Sequence, residues 1–145
     1  MPRSDFRLAC PLRVRWAEVD PQNIVFNAHY LMYFDVAATE YWREIGCEYP
    51  ARFLAHGVDT FVVKTTLEFH APARYDDMLE VCMRAARLGR SSIRMLLEIH
   101  RQDAHLVSGE LIYVIASATE RAPTTIPAPL REAMLKYEKL PPEQA

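Results

Sequence analysis

Several things that would name a chemistry at once are missing from this sequence. There is no glycine-rich phosphate loop, no serine nucleophile elbow and no Ser-His-Asp order, which sets aside the common phosphate-binding and serine-hydrolase plans. Cys10, Cys47 and Cys82 lie far apart, without the paired spacing of a zinc ribbon or a redox dithiol, so a reducing cytosol fits best. His29, His56, His70, His100 and His105 are scattered and show no close metal-ligand spacing, so no metal site is expected. Charge of one sign is also lacking: a formal net charge of −2 gives no general reason to expect nucleic acid or an anionic membrane as partner. No apolar run is long enough to span a bilayer, and no apolar signal core follows Arg3, Asp5 and Arg7. A soluble cytoplasmic protein is the expectation.

What is present suits one domain over residues 1–145, with ordinary apolar and charged fractions and enough chain for a real core. Phe6, Leu8, Cys10, Leu12, Val14 and Trp16 alternate with polar neighbours, which predicts a strand, and Pro11 places it at an edge or a bulge. Residues 28–45 read as the one long helix, apolar around most of its surface, so the helix must be enclosed. Gly46 suits its left-handed stop. A weaker helix follows near residues 51–56, and period-two segments then run from Phe61 to Phe69, from Leu79 to Ala86 and from Ile93 to His100. The last two form a hairpin about Gly89. Residues 106–117, apolar on both parities near Leu111, predict a central strand or one beneath a subunit contact. Residues 121–145 hold a proline-rich linker and a short helix bearing Leu130, Met134 and Tyr137, with a frayed tail beyond. The order predicts an α+β fold, a curved antiparallel sheet wrapped around one long central helix, assembled at least as a dimer.

The densest information lies in Asp20-Pro21-Gln22-Asn23-Ile24-Val25-Phe26-Asn27-Ala28-His29-Tyr30. Pro21 bars regular ladder bonding and Asn23 tolerates positive φ, so a tight turn carries a carboxylate toward the helix start. Asn27 reads as the N-cap, leaving first-turn amides free at the electropositive end of the helix. A carboxylate beside such donors suits acyl chemistry. Asp before Pro is also a common turn initiator, so local sequence alone allows a purely structural Asp20.

Trp16, Asp20, Pro21, Ile24, Val25 and Tyr30, followed by Leu31, Tyr33 and Phe34, and then Tyr75-Asp76-Asp77 before the next strand, carry a resemblance to a known family. The chain resembles the hotdog-fold acyl-CoA thioesterases of the 4-hydroxybenzoyl-CoA thioesterase group, over most of its length. That resemblance implies that Asp20 is the catalytic carboxylate and that the Asn27 amide polarises the thioester carbonyl. It implies coenzyme A phosphate contacts around Arg90, Ser91 and Ser92, with Arg87 just before them, and guanidinium with hydroxyl donors suits a phosphate. Phe26 and Tyr33 are the candidates for the acyl wall, although core is the plainer reading of the helix aromatics. Many relatives have glycine at the position of Asn23, and some have histidine at Ile24 or tyrosine at Asn27, which reshapes the acyl pocket here.

The expected reaction is hydrolysis of an acyl- or aroyl-CoA to a carboxylate and free coenzyme A, with no metal or redox cofactor and self-association as a homodimer or homotetramer. Two other readings stay open. One is a non-catalytic acyl-CoA or acyl-carrier binding module; the other is a hotdog hydratase or dehydratase, for which His29 or His70 would have to work with a carboxylate. Asp35, farther along the helix, is read as a local surface pair with Thr39.

Overall fold

The computed structural model describes residues 3–145. Strand β1 (Leu8–Arg13) leads through a 3-10 turn at Trp16–Glu18 to helix α1 (His29–Glu44) and a short α2 (Ala51–Ala55). Four long strands follow: β2 (Val58–Phe69), β3 (Met78–Leu88), β4 (Ser92–Arg101) and β5 (Ala104–Ser117). Helix α3 (Ala128–Tyr137) and a two-residue β6 (Glu143–Gln144) close the chain. The sheet order is β1-β3-β4-β5-β2, antiparallel throughout, with β6 added in parallel to the end of β3. This is the expected α+β hotdog arrangement, a curved sheet around a helix.

Alternation decides which sheet face meets α1. Leu79, Val81, Met83 and Ala85 of β3, and Ile93, Met95, Leu97 and Ile99 of β4, are essentially fully buried against the helix side of the core. From α1, Tyr30, Tyr33, Phe34, Ala37, Tyr41 and Trp42 answer them. Phe34 is seated over Gly109 of β5, where an added Cβ would lie 2.3 Å from the ring. A side chain at 109 would lift the helix off the sheet, and full burial of such an aromatic is worth roughly 1.5–3 kcal/mol. Gly46 adopts φ +79° and ends α1 as expected.

Three expectations need correction. Helix α1 is half wrapped, not enclosed: Leu31, Met32 and Val36 are exposed, Leu31 and Met32 sharing an open groove with Val62 of the free edge strand β2 and Val36 one with β1. The tail is not frayed, since Glu143 and Gln144 pair with Arg87 and Leu88. The Asp35 pairing runs through the backbone, with the Thr39 hydroxyl donating to the Asp35 carbonyl at 3.1 Å. Pro11 does sit on an edge strand, facing Glu80 of β3.

Candidate active site

Residues 15–30 fold into a compact loop whose bonds are mostly local. The Asp20 amide donates to the Ile24 carbonyl (2.9 Å), the Asn23 amide donates to the Asp20 carbonyl (2.9 Å), and Asn23 takes φ 63°. The left-handed residue expected in this turn is therefore Asn23 itself. Val19 and Val25 bridge antiparallel across the turn, and the Phe26 amide donates to the Glu18 carbonyl at 3.0 Å. The loop is also pinned from outside. The Val25 amide donates to the Ala73 carbonyl (2.9 Å), and the Ala73 amide donates to the Tyr30 hydroxyl (3.1 Å).

Within this frame Asp20 is half-buried, with Oδ1 accepting the Gln22 amide at 2.8 Å. Its Oδ2 has no hydrogen-bond partner among the described residues. Asn27 is not the N-cap. Helix α1 begins at His29 behind Ala28, which already has helical torsions and makes no side-chain cap bond. The amides of His29 and Tyr30 are taken by the carbonyls of Phe26 and Asn27, because the chain enters α1 through a turn that is already nearly helical. Among the described residues the Asn27 and Ala28 amides make no backbone hydrogen bond, so the free donors sit one step earlier than a capped helix would put them.

Asp20 and Asn27 line one cavity of about 310 Å³ together with Gln22, Ile24, Val25, Tyr30 and the segment Phe69 to Pro72. Its wall is largely apolar, and Phe69 tilts against Tyr30 with ring centroids 5.6 Å apart. Its polar lining includes the Asp20 carboxylate and Asn27, whose backbone amide is unused. Another cavity, about 240 Å³ near the end of α1, is lined by Ile45, Cys47, Phe53, His56 and Leu130 among others and has no carboxylate on its wall.

The remaining candidates fall elsewhere. Phe26 is exposed, edge-on to His29 at 6.0 Å, and is not part of that wall. Tyr33 is fully enclosed, its hydroxyl donating to Glu18 at 2.8 Å. Arg87 and Arg90 are exposed, and Ser91 and Ser92 half-buried, in the β3–β4 turn. That turn lies at the other end of α1. Tyr30 near the helix start is tied to Ala73 before β3, whereas Tyr41 near the helix end shares Glu138 with Ala85 late in β3. Sixteen helical residues span about 24 Å, so one chain keeps the Arg90 turn away from Asp20.

Sequence reasoning passed over Glu18. This carboxylate is buried, with Oε1 accepting the Arg15 amide (2.8 Å) and the Tyr33 hydroxyl (2.8 Å), and Oε2 accepting the Arg15 guanidinium. Burial alone would raise its pKa, but the hydrogen bonds from Arg15 and Tyr33 outweigh it and hold the carboxyl below its ordinary range. Burial, with the Glu18 charge beside it, pushes the Tyr33 phenol far up, so the hydroxyl stays a donor. The signal was the Arg15 to Glu18 spacing, an i,i+3 pair two residues before Asp20. The histidines are scattered in sequence but not in space: the rings of His70, His100 and His105 are neighbours, with centroids 4.7 Å apart along the row. The β4–β5 hairpin register, which pairs His100 with His105, brings two of them together.

Comparison with known proteins accords with this fold. Acyl-CoA thioester hydrolase YbgC of Escherichia coli O6:H1 is 29% identical over 118 residues, covering 81% of this chain and 87% of that protein. The PA5185 protein of Pseudomonas aeruginosa superposes with a TM-score of 0.81 at 26% identity, over 94% of each chain. A Thermus thermophilus thioesterase complexed with coenzyme A and Zn superposes with a TM-score of 0.81 at 25% identity, over 94% of this chain and 98% of that one. The profile of the Thioesterase superfamily matches residues 22–108, more than half of the sequence, beginning just after Asp20, and the chain belongs to that superfamily.

Proposed function

We propose that this thioesterase hydrolyses an acyl- or aroyl-coenzyme A, with Asp20 as the working carboxylate and the Asn27 amide as the donor to the thioester oxygen. The observation that carries the reading is the shared cavity, which Asp20, with one unengaged carboxylate oxygen, and Asn27, with an unused amide, both line. Asp20 either attacks the carbonyl carbon, expelling the coenzyme A thiolate and leaving an anhydride that water opens, or takes a proton from the attacking water. Both routes build negative charge on the carbonyl oxygen, which a fixed amide stabilises without reorganisation. The reaction so written calls on no metal or redox cofactor, since coenzyme A is part of the substrate.

The working unit in this reading is a homodimer. Strand β2 has a free edge, with Val62 51% and Val63 60% exposed, next to the open Leu31 and Met32 stripe of α1. Pairing two β2 edges antiparallel about a two-fold axis covers both stripes and sets the two α1 helices head to tail. The partner's end of α1, and with it a second Arg90, Ser91 and Ser92 turn, then approaches Asp20 of the first protomer. Coenzyme A phosphates held there would reach a thioester in the Asp20 cavity. A cytoplasmic setting suits the three cysteines, none of which is in a disulfide; no helix among the described residues is long and apolar enough to cross a membrane.

Asp20→Asn is the decisive variant. It is expected to release thiol from acyl-CoA at least about 10²-fold more slowly while still binding the thioester, read by thiol release and by equilibrium binding. Wild-type turnover in that variant removes Asp20 from the chemistry. A chain that sediments as a monomer at working concentration, yet is fully active, removes the dimer.

A further inference from the structure

We propose that Glu98, His100 and His105 form a binding site for one divalent transition-metal ion of the zinc class, on the sheet face opposite α1. None of the three lines the Asp20 cavity, although the ring of His70, which does, is 4.7 Å from that of His105, and the site does not depend on the reaction assigned to Asp20. Leu97 and Ile99 point into the α1 core, so the alternation of β4 sends Glu98 and His100 to the other face, where His105 of β5 is the register partner of His100.

One carboxylate oxygen and a nitrogen from each imidazole lie within 4.8 Å of one another. Glu98 Oε1 is 2.8 Å from His100 Nε2 and 3.9 Å from His105 Nε2. Ligands about 2.0–2.1 Å from a tetrahedral ion are about 3.3 Å apart, so these two separations bracket the spacing that such an ion imposes. Small rotations of the two rings, one of them partly exposed, suffice to admit it.

Burial singles out this cluster. Glu98 and His100 are only 8% and 6% exposed. Buried carboxylates are ordinarily paired or bound to a metal, and this one faces two imidazoles. Arg3, the nearby guanidinium from the N-terminal turn, is turned to Glu80 and to the Gln102 carbonyl. His100 Nε2 faces Glu98, while its Nδ1 is buried without a hydrogen-bond partner among the described residues. A metal on Nε2 leaves the ring proton on Nδ1, so the imidazole stays neutral, and the ion's charge offsets that of the carboxylate. His105 gives up Nε2 contacts to the Val107 carbonyl (3.0 Å) and the Ser108 hydroxyl (3.2 Å), and its exposure provides the entry path.

Two imidazoles and one carboxylate select zinc, cobalt or nickel over magnesium and calcium, which prefer all-oxygen sites, and water completes the coordination. The test is a titration of the tag-free, metal-stripped full chain with Co²⁺. One equivalent per chain is expected to produce visible d–d absorption of tetrahedral intensity, which one equivalent of Zn²⁺ then removes. His105→Ala and Glu98→Gln should each weaken Co²⁺ binding by about tenfold or more, while His56→Ala, an exposed histidine outside the cluster, leaves it unchanged. Far-ultraviolet circular dichroism checks folding, and the exposed His105 supplies the variant least able to disturb it. Absence of a stoichiometric Co²⁺ signal, or one that survives His105→Ala, overturns the site.

Discussion

The two ends of α1 are tied down by the same pair of groups, a helix tyrosine donating to a buried glutamate, and they differ in what else the glutamate touches. At the start of the helix Tyr33 meets Glu18 at 2.8 Å, with the Arg15 guanidinium and amide on the same carboxylate. Toward its end Tyr41 meets Glu138 at 2.7 Å, with the Ala85 amide at 2.7 Å. Arginine and two further donors keep Glu18 ionised, whereas burial raises the pKa of Glu138 more than its donors lower it. One latch therefore holds the loop that carries Asp20 through charge. The other seats the C-terminal helix on the irregular stretch of β3 between Ala85 and Arg87, and carries nothing of the Asp20 cavity.

The largest separation between the two ends should appear on truncation. Glu18→Ala removes the anchor two residues from Asp20 and frees the loop. Because displacement of a catalytic group by about 1 Å costs on the order of 10² in rate, thiol release should fall by about that factor. Glu138→Ala should leave kcat within about twofold, yet lower the urea midpoint more: it strands the Tyr41 hydroxyl and the Ala85 amide, at about 1–3 kcal/mol for each unpaired group. Equal turnover losses in the two variants would erase the distinction between a catalytic and a structural end.

A gentler version deletes single hydroxyls. Tyr33→Phe and Tyr41→Phe each remove one bond to a carboxylate, about 1.5–3 kcal/mol by type, so similar shifts in denaturant midpoint are expected. Turnover should drop in Tyr33→Phe alone. If Tyr41→Phe slows hydrolysis as much, coupling runs the length of the helix and the ends are not independent.

How far the sequence carried this contrast depends on the kind of interaction. Strand periods, the edge position implied by Pro11, the stop at Gly46 and the positive φ of Asn23 are local, and all were legible. Asp20 was singled out because the turn that presents it is written in consecutive residues. Glu138 was not legible as a partner of Tyr41, because 97 positions separate them and only the packing of α3 joins them. The N-cap at Asn27 was misread since a turn with helical torsions at Ala28 does the work that a capping side chain would do. The half-open stripe on α1 could not be foreseen either, as periodicity reports that a face is apolar and not what covers it.

The smallest and most diagnostic test is the pH dependence of stability, in which the two ends should have opposite signs. A folded pKa below the unfolded value, as for Glu18, means that the native state binds fewer protons; its stabilisation is complete above the unfolded glutamate pKa of about 4.3 and is lost as pH falls through the lower folded value. Glu138 is raised, so the native state retains a proton that the unfolded chain releases; stability is lost as pH climbs from about 4.3 through the folded value. Glu18→Gln should therefore trail the wild type most near neutrality and converge with it in acid. Glu138→Gln should match the wild type in acid and equal or exceed it near neutrality, where the ionisation penalty no longer applies. Urea midpoints for both variants from about pH 3.5 to 8 decide the matter, since parallel curves would mean that Arg15 is not what sets the two carboxylates apart.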